Sequence, residues 1–179
     1  SIIPADPDLA GAELELVDME HRETRLRQAI GTLSGFDWVM LDCPPSLGLL
    51  TLNALVAADS VLVPLQTEFY ALEGVSQITQ TIERVKRAMN PGLELEGIAL
   101  TMFDRRNNLS EAVAADVRQH FGAAVFDTAI PRNVRVSEAP SHGLPVTVYD
   151  FRSPGAQAYV ALAAELLRRH RQRLKAKAG

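Results

Sequence analysis

A single cysteine, Cys43, excludes an internal disulfide and a cysteine cluster for metal, and the four histidines are scattered without ligand spacing. Cys43 itself reads as a small buried residue of a reducing compartment rather than a reactive thiol. No apolar stretch approaches the roughly 18 to 20 residues that span a bilayer, and no basic N-terminal region precedes an apolar signal core, which points to the cytoplasm. No Gly-Lys dipeptide occurs in the 179 residues, so the phosphate-cradling loop G-x-x-x-x-G-K-S/T is missing from the sequence. What remains is an ordinary globular composition, 47% hydrophobic and 22% charged, on a length able to bury about 70% of its unfolded surface.

The net charge of -4 hides an asymmetry. From Leu166 onward there are six Lys/Arg and no acids, which leaves 12 basic against 22 acidic residues, a net -10, in the body before it. A segregated basic end fits a polyanion, and a solvated helix end fits the same run.

Ser1 to Pro4 reads as the end of a strand, so the chain is expected to start in mid-fold. The apolar stripe Leu9, Leu14, Leu16, Val17, Leu26 and Ile30 after Asp6-Pro7 predicts one long first helix ending near Gly31 to Gly35. Alternating elements follow: strands over 37–42, 60–65, 96–103 and 125–130, with helices over 49–58, 72–89 and 110–121 and a last helix from Pro154. Apolar strands separated by helices predict an α/β, doubly wound, mostly parallel sheet with helices on both faces. No linker or repeat divides residues 1–179, which read as a single partial domain whose segment 154–179 is a helix with a basic end.

Three motifs carry chemistry. In FDWVMLDCPPSLG, residues 36–48, the apolar run ends in Asp42 and the chain turns at once through Pro44 and Pro45. A carboxylate at the carboxyl end of a parallel strand faces the ligand crevice, where it can hold magnesium directly or through water, as in a Walker B site, or merely cap a helix. The rigid turn Pro44 to Gly48 beside a phosphate site could report the terminal phosphate. In TMFDRRNNLSEAV, residues 101–113, the pair Arg105-Arg106 lies just past a strand end and can meet phosphate oxygens or solvent. In IPRNVRVSEAPSHGLPV, residues 130–146, prolines stiffen the path while Arg132, Asn133 and Arg135 offer directional polar groups. Asn133 could read a base edge, or the segment is a structural connection capped by Ser137. At the C-terminus the basic run RRHRQRLKAK lacks the bulky apolar residues of a membrane-surface helix and suits nucleic acid better than lipid.

Together, DCPPSLG at 42–48, PLQTEFYALEG at 64–74, TMFDRRNNL at 101–109 and IPRNVRVSEAPSHGLPV at 130–146 closely resemble the ParA/Soj family of partition ATPases, deviant Walker members of the MinD/ParA superfamily, in the family's order and spacing. The resemblance implies a P-loop NTPase-like fold whose N-terminal strands are not in this chain. It implies a protein that segregates chromosomal or plasmid DNA by forming an ATP-bound homodimer, binding nucleoid DNA without sequence preference, and hydrolysing ATP on stimulation by a ParB-type centromere-binding protein. By the same resemblance, Asp42 is the magnesium-side acid, acting through water, and Pro44, Pro45, Ser46 and Gly48 form the switch. Met102, Pro131 and Asn133 surround the adenine. Arg106 and Arg135 contact DNA, with Arg105, Arg168, Arg169 and Arg171 as further candidates. ATP and magnesium are implied for the full-length parent and neither for this chain alone, which without a Walker A loop is expected not to hydrolyse ATP. A truncated ParA-like regulator and a MinD-like membrane-cycling ATPase are the alternatives, and the tail argues against the second.

Overall fold

A computed structural model describes residues 2–44 and 46–178. Among the described residues two strands form the sheet, β1 (Ser60–Gln66) and β2 (Glu94–Thr101), joined by the crossover helix α4 (Ala71–Ala88). They run parallel: the amide of Glu94 donates to the Asp59 carbonyl at 3.0 Å, and that of Thr67 to the Thr101 carbonyl at 3.1 Å. β2 is buried along its length, with Ile98, Ala99 and Leu100 enclosed, as a strand covered on both faces should be. The remaining helices, named before the sheet as α1 (Leu9–Leu16), α2 (Arg25–Ile30) and α3 (Leu49–Ala57), and after it as α5 (Asn108–Phe121), α6 (Val134–Glu138), α7 (Val146–Tyr149) and α8 (Pro154–Ala178), complete the chain. The chain divides into two compact units, one of residues 1–61 with 79–95, the other of 62–78 with 96–179.

Four expectations are corrected. The long first helix is broken into α1, a 3-10 turn at Arg22–Thr24, and α2. His21 takes a left-handed conformation (φ 54°), which an α-helix cannot contain, and the carbonyls freed at Val17 and Glu20 are taken by the Arg22 and Arg25 side chains at 2.6 and 3.2 Å. Ile2 and Ile3, read as a strand end, are exposed and lie in no strand. The segment 37–42 forms no ladder among the described residues, and Trp38, Val39 and Met40 keep 42%, 45% and 76% of their surface in water. A strand is made by its neighbour's hydrogen bonds, and an apolar run alone does not supply them.

Residues 125–130 are the fourth correction. They follow β2 in parallel but form no continuous ladder with it: the bridges are isolated, Ile98 with Val125 and, just past both segments, Phe103 with Pro131. The amides of Phe126 and Ile130 donate to the Ile98 and Leu100 carbonyls at 2.9 and 2.8 Å. Between them, the amides of Asp127 and Thr128 donate instead to the Glu165 carboxylate, each at 2.9 Å, so a side chain of α8 breaks the ladder. Arg169, one turn on, ion-pairs with Glu165 at 2.7 Å, donates to the Ala123 and Val125 carbonyls at 2.9 Å, and lies 4.4 Å over the Phe126 ring. Phe126 is fully buried with Ala99, Ile130 and Leu162. Its ring fits because residue 97 is glycine: a Cβ there would stand 2.5 Å from Phe126 Cε2.

In the first unit, α2 docks on α3 through Asn53, which is buried. Its oxygen accepts from the Leu26 amide at 3.2 Å, and its NH2 donates to the Arg22 and Leu49 carbonyls at 2.9 and 3.0 Å.

Candidate nucleotide and nucleic-acid site

Asp42 and the switch belong to the first unit, and the other site residues belong to the second. Asp42 and Pro44 are exposed, and Pro45 lies outside the described residues. The Ser46 carbonyl accepts from Thr51 Oγ1 at 2.6 Å, and Gly48 opens α3 in extended conformation. Glu13 of α1 lies so close to Gly48 that a Cβ there would meet its carboxylate. Cys43 is exposed, which corrects the buried reading. Its thiol nevertheless titrates above its ordinary value, through desolvation and then the neighbouring Asp42 charge, so it is not activated as a nucleophile.

In the second unit Met102, Arg105 and Arg106 follow the carboxyl end of β2, while Arg168, Arg169 and Arg171 lie on α8. The Phe103 amide donates to the Ile130 carbonyl and the Arg132 amide to the Phe103 carbonyl, both at 3.0 Å, which pairs Phe103 with Pro131, Met102 preceding the one and Asn133 lying two residues past the other. Met102 has φ 53°, a left-handed conformation uncommon for a non-glycine residue and concentrated at functional sites. Two buried hydroxyls that sequence reasoning passed over support this turn: Thr67 and Ser110 bond to each other at 2.6 Å, and Ser110 Oγ accepts from the Asp104 amide at 3.1 Å. Their only signal in the sequence was a Thr at the end of one strand and a Ser in the first turn of a helix. Neither spacing reveals that the two meet.

Asn133 caps α6, its oxygen accepting from the Arg135 amide at 3.1 Å, so the cap is Asn133 and not Ser137. One lone pair of that oxygen is thereby used, which leaves its second lone pair and the NH2 group as the polar atoms that could meet a base edge. Segment 130–146 is no plain loop: it carries α6, a 3-10 turn at Ala139–His142 and Gly143 at φ 64°.

The arginines differ sharply. Arg106 is 90% exposed and grips Asp104 with a two-toothed fork, Nε to Oδ1 at 3.1 Å and Nη2 to Oδ2 at 3.2 Å. That hydrogen bond holds the Asp104 carboxyl below its ordinary value. Arg135 pairs with Glu138 at 2.8 Å and with Asp150 at 3.5 Å. Arg105, Arg168 and Arg171 are exposed. Arg169 leaves the set of DNA candidates, because its guanidinium is spent on Glu165, two carbonyls and the Phe126 ring. Arg173 is likewise tied to buried Glu96 at 2.8 Å. The basic run thus divides by face: Arg168, Arg171 and Lys175 line one outer groove of α8 with Leu167 and Gln172, while Arg169 and Arg173 hold the helix down.

Among the described residues, no group of three or more His, Cys, Asp or Glu could hold a metal ion. Magnesium demands a near-octahedral shell of oxygens, and Asp42 supplies a single carboxylate. Asp42 by itself therefore does not complete the oxygen shell of the magnesium that the resemblance implies. Among the described residues, no helix is long and apolar enough to cross a membrane.

A family model described as an AAA domain matches residues 1–95. The chain is 56% identical, over 94% of its length and 60% of the relative's, to the chromosome partitioning protein ParA of Myxococcus xanthus. It is 48% identical, over 96% of its length and 68% of the relative's, to the chromosome-partitioning ATPase Soj of Treponema pallidum. The chain belongs to the ParA/Soj family. It spans 60% of the Myxococcus xanthus ParA and 66% of the Caulobacter vibrioides ParA.

Among solved structures, the cobyrinic acid a,c-diamide synthase of Mycobacterium smegmatis with bound ADP and magnesium is 41% identical to this ParA/Soj chain, with a TM-score of 0.77 over 94% of this chain and 62% of that one. The cell division ATPase MinD of Pyrococcus furiosus, 24% identical with a TM-score of 0.67 over 82% of this chain and 58% of that one, shares the fold. The α/β fold expected from the alternating elements is therefore the fold of this chain.

Proposed function

We propose that this ParA/Soj chain is the part of a chromosome or plasmid partition ATPase that carries the DNA-contacting surface, the switch and one magnesium-side acid. The observation that carries this reading is the arrangement at the end of β2, where one turn presents Arg106 and the first turn of α6 presents Arg135 on exposed guanidinium groups within one unit. Arginine forks of this kind take phosphate oxygens without reading sequence, which suits nonspecific nucleoid binding. Arg105, Arg168 and Arg171 add positive charge, and the binding falls with salt as counterions are released.

In this reading Asp42 is one ligand near magnesium, through water, and the phosphate loop comes from sequence outside these 179 residues. Pro44, Pro45, Ser46 and Gly48 respond to the terminal phosphate, while Met102, Pro131 and Asn133 border the adenine. The ATP state is a homodimer that binds DNA, and a ParB-type partner stimulates hydrolysis. The relatives named chromosome partitioning ParA and chromosome-partitioning ATPase Soj support this reading, as does the neighbour with bound ADP and magnesium.

The test measures ATP turnover by the complete gene product with nonspecific duplex DNA and its ParB partner. Stimulated turnover, with weaker DNA binding and a flatter salt dependence in Arg106→Ala and Arg135→Ala, is the expected result. Unstimulated turnover, or unchanged DNA binding by both variants, overturns it.

A further inference from the structure

We infer that Asp104, and Glu138 with Asp150, are built-in competitors for phosphate at Arg106 and Arg135, and that they set how strongly this surface holds a polyanion. The inference rests on the proposed role of those two arginines in contacting DNA.

A carboxylate and a phosphate present the same paired oxygens to a guanidinium fork. Arg106 already holds such a pair, at 3.1 and 3.2 Å, on Asp104. The acid is the fixed member. Its Oδ1 also accepts from the Arg106 amide at 3.0 Å, and its own amide is anchored on buried Ser110 at 3.1 Å. The side chain of Asp104 is 24% exposed and that of Arg106 is 90% exposed, so the arginine can exchange partners while the acid stays.

Arg135 is flanked from two elements, by Glu138 of α6 at 2.8 Å and by Asp150, just past α7, at 3.5 Å. Tyr149 Oη donates to the same Glu138 oxygen at 3.4 Å, which steadies that acid. The contrast with the structural pairs is clear. Glu165 and Glu96 have side chains only 4% exposed, and their arginines also bind backbone carbonyls, so exchange there would strip buried groups. At Arg106 and Arg135 the exchange happens in water and costs little. DNA binding at each site therefore replaces one ion pair by another, which lowers its net gain and favours ready release.

The experiment uses the complete gene product with ATP and nonspecific duplex DNA at about 0.1 M salt. Asp104→Asn keeps an oxygen for the Arg106 amide, and Glu138→Gln keeps one for Tyr149, while each removes the competing charge. Each variant should tighten DNA binding about two- to fivefold, the range set by an exposed ion pair. In an Arg106→Ala background, Asp104→Asn should have no more effect than Glu111→Gln, an exposed acid of α5 outside both clasps. No tightening, or equal tightening with and without Arg106, overturns the inference. Loss of binding in the two alanine variants without any gain in Asp104→Asn and Glu138→Gln sinks the clasps alone. Unchanged binding in the alanine variants sinks the DNA contact itself.

Discussion

Replacing Glu165 with glutamine removes one charge from the junction that sets the path of residues 123–130. The carboxylate accepts the Asp127 and Thr128 amides, both at 2.9 Å, and the Arg169 guanidinium at 2.7 Å, while only 4% of its side chain is exposed. An amide offers one oxygen where the carboxylate offers two, and its NH2 would face a second donor. A hydrogen bond to a charged group contributes about 1.5 to 3 kcal/mol, and breaking a buried ion pair by removing one member costs about 3 to 5 kcal/mol. Arg169 keeps the Ala123 and Val125 carbonyls, which limits the damage. Glu165→Gln should therefore lose about 3 kcal/mol, a large part of the roughly 5 to 15 kcal/mol that holds a domain folded.

Equilibrium urea unfolding followed by circular dichroism measures that loss, and its pH dependence identifies the cause. Burial pushes the Glu165 carboxyl up, but hydrogen bonds from Thr128 and from the Asp127 and Thr128 amides, with the Arg169 charge, outweigh it and hold the group below its ordinary value. A carboxyl depressed in the folded state contributes its full stability above the unfolded value, about 4.3, and loses it as pH falls through the folded value. The gap between wild type and Glu165→Gln should be widest near neutral pH and narrow in acid. A gap under about 0.5 kcal/mol at neutral pH, or one that does not shrink on acidification, would refute the reasoning.

Gly97→Ala should lower stability by about 1 to 3 kcal/mol, read as a fall in melting temperature, because its Cβ would meet Phe126 Cε2 at 2.5 Å and the Ala124 carbonyl at 2.9 Å. Arg173→Ala should cost about 3 to 5 kcal/mol in denaturant unfolding, since it strands Glu96, which is 3% exposed and whose Oε1 already has no hydrogen-bond partner among the described residues. Adding Glu96→Gln to that variant should recover part of the loss. The triple change Arg168→Ala, Arg171→Ala and Lys175→Ala should leave the melting temperature in place and reduce the salt slope of DNA binding by up to about 0.9 per phosphate contact removed. Arg169→Ala should do the reverse, lowering the melting temperature through the lost Glu165 pair.

Much of the fold was legible because burial leaves a direct mark on composition. The strands expected over 60–65 and 96–103 are found at 60–66 and 94–101, the second shifted by two residues, and α4 ends within a residue of where its periodicity stops. The failures share one origin, which is that hydrogen-bond partners are not written in local sequence. The stripe over 9–30 is helical in period but is interrupted at His21, and the apolar run 37–42 has no ladder partner among the described residues. The candidate residues Asp42, Arg106, Arg135 and Asn133 were picked out from motif strings alone. That Asn133 caps α6, that Thr67 and Ser110 lie under the Arg106 turn, and that Arg106 and Arg135 each hold a carboxylate required coordinates.

The basic C-terminal run shows where the two sources of knowledge part. The sequence by itself determined an α/β chain of the ParA/Soj kind with six Lys/Arg and no acid after Leu166. It could not sort those charges, because residues next to each other in a helix point to different faces. Only the tertiary structure decided that Arg169 and Arg173 turn inward to Glu165 and Glu96, while Arg168 and Arg171 turn outward. The cause is the two buried acids, one of them in β2, whose burial is costly without a partner brought to them by the fold.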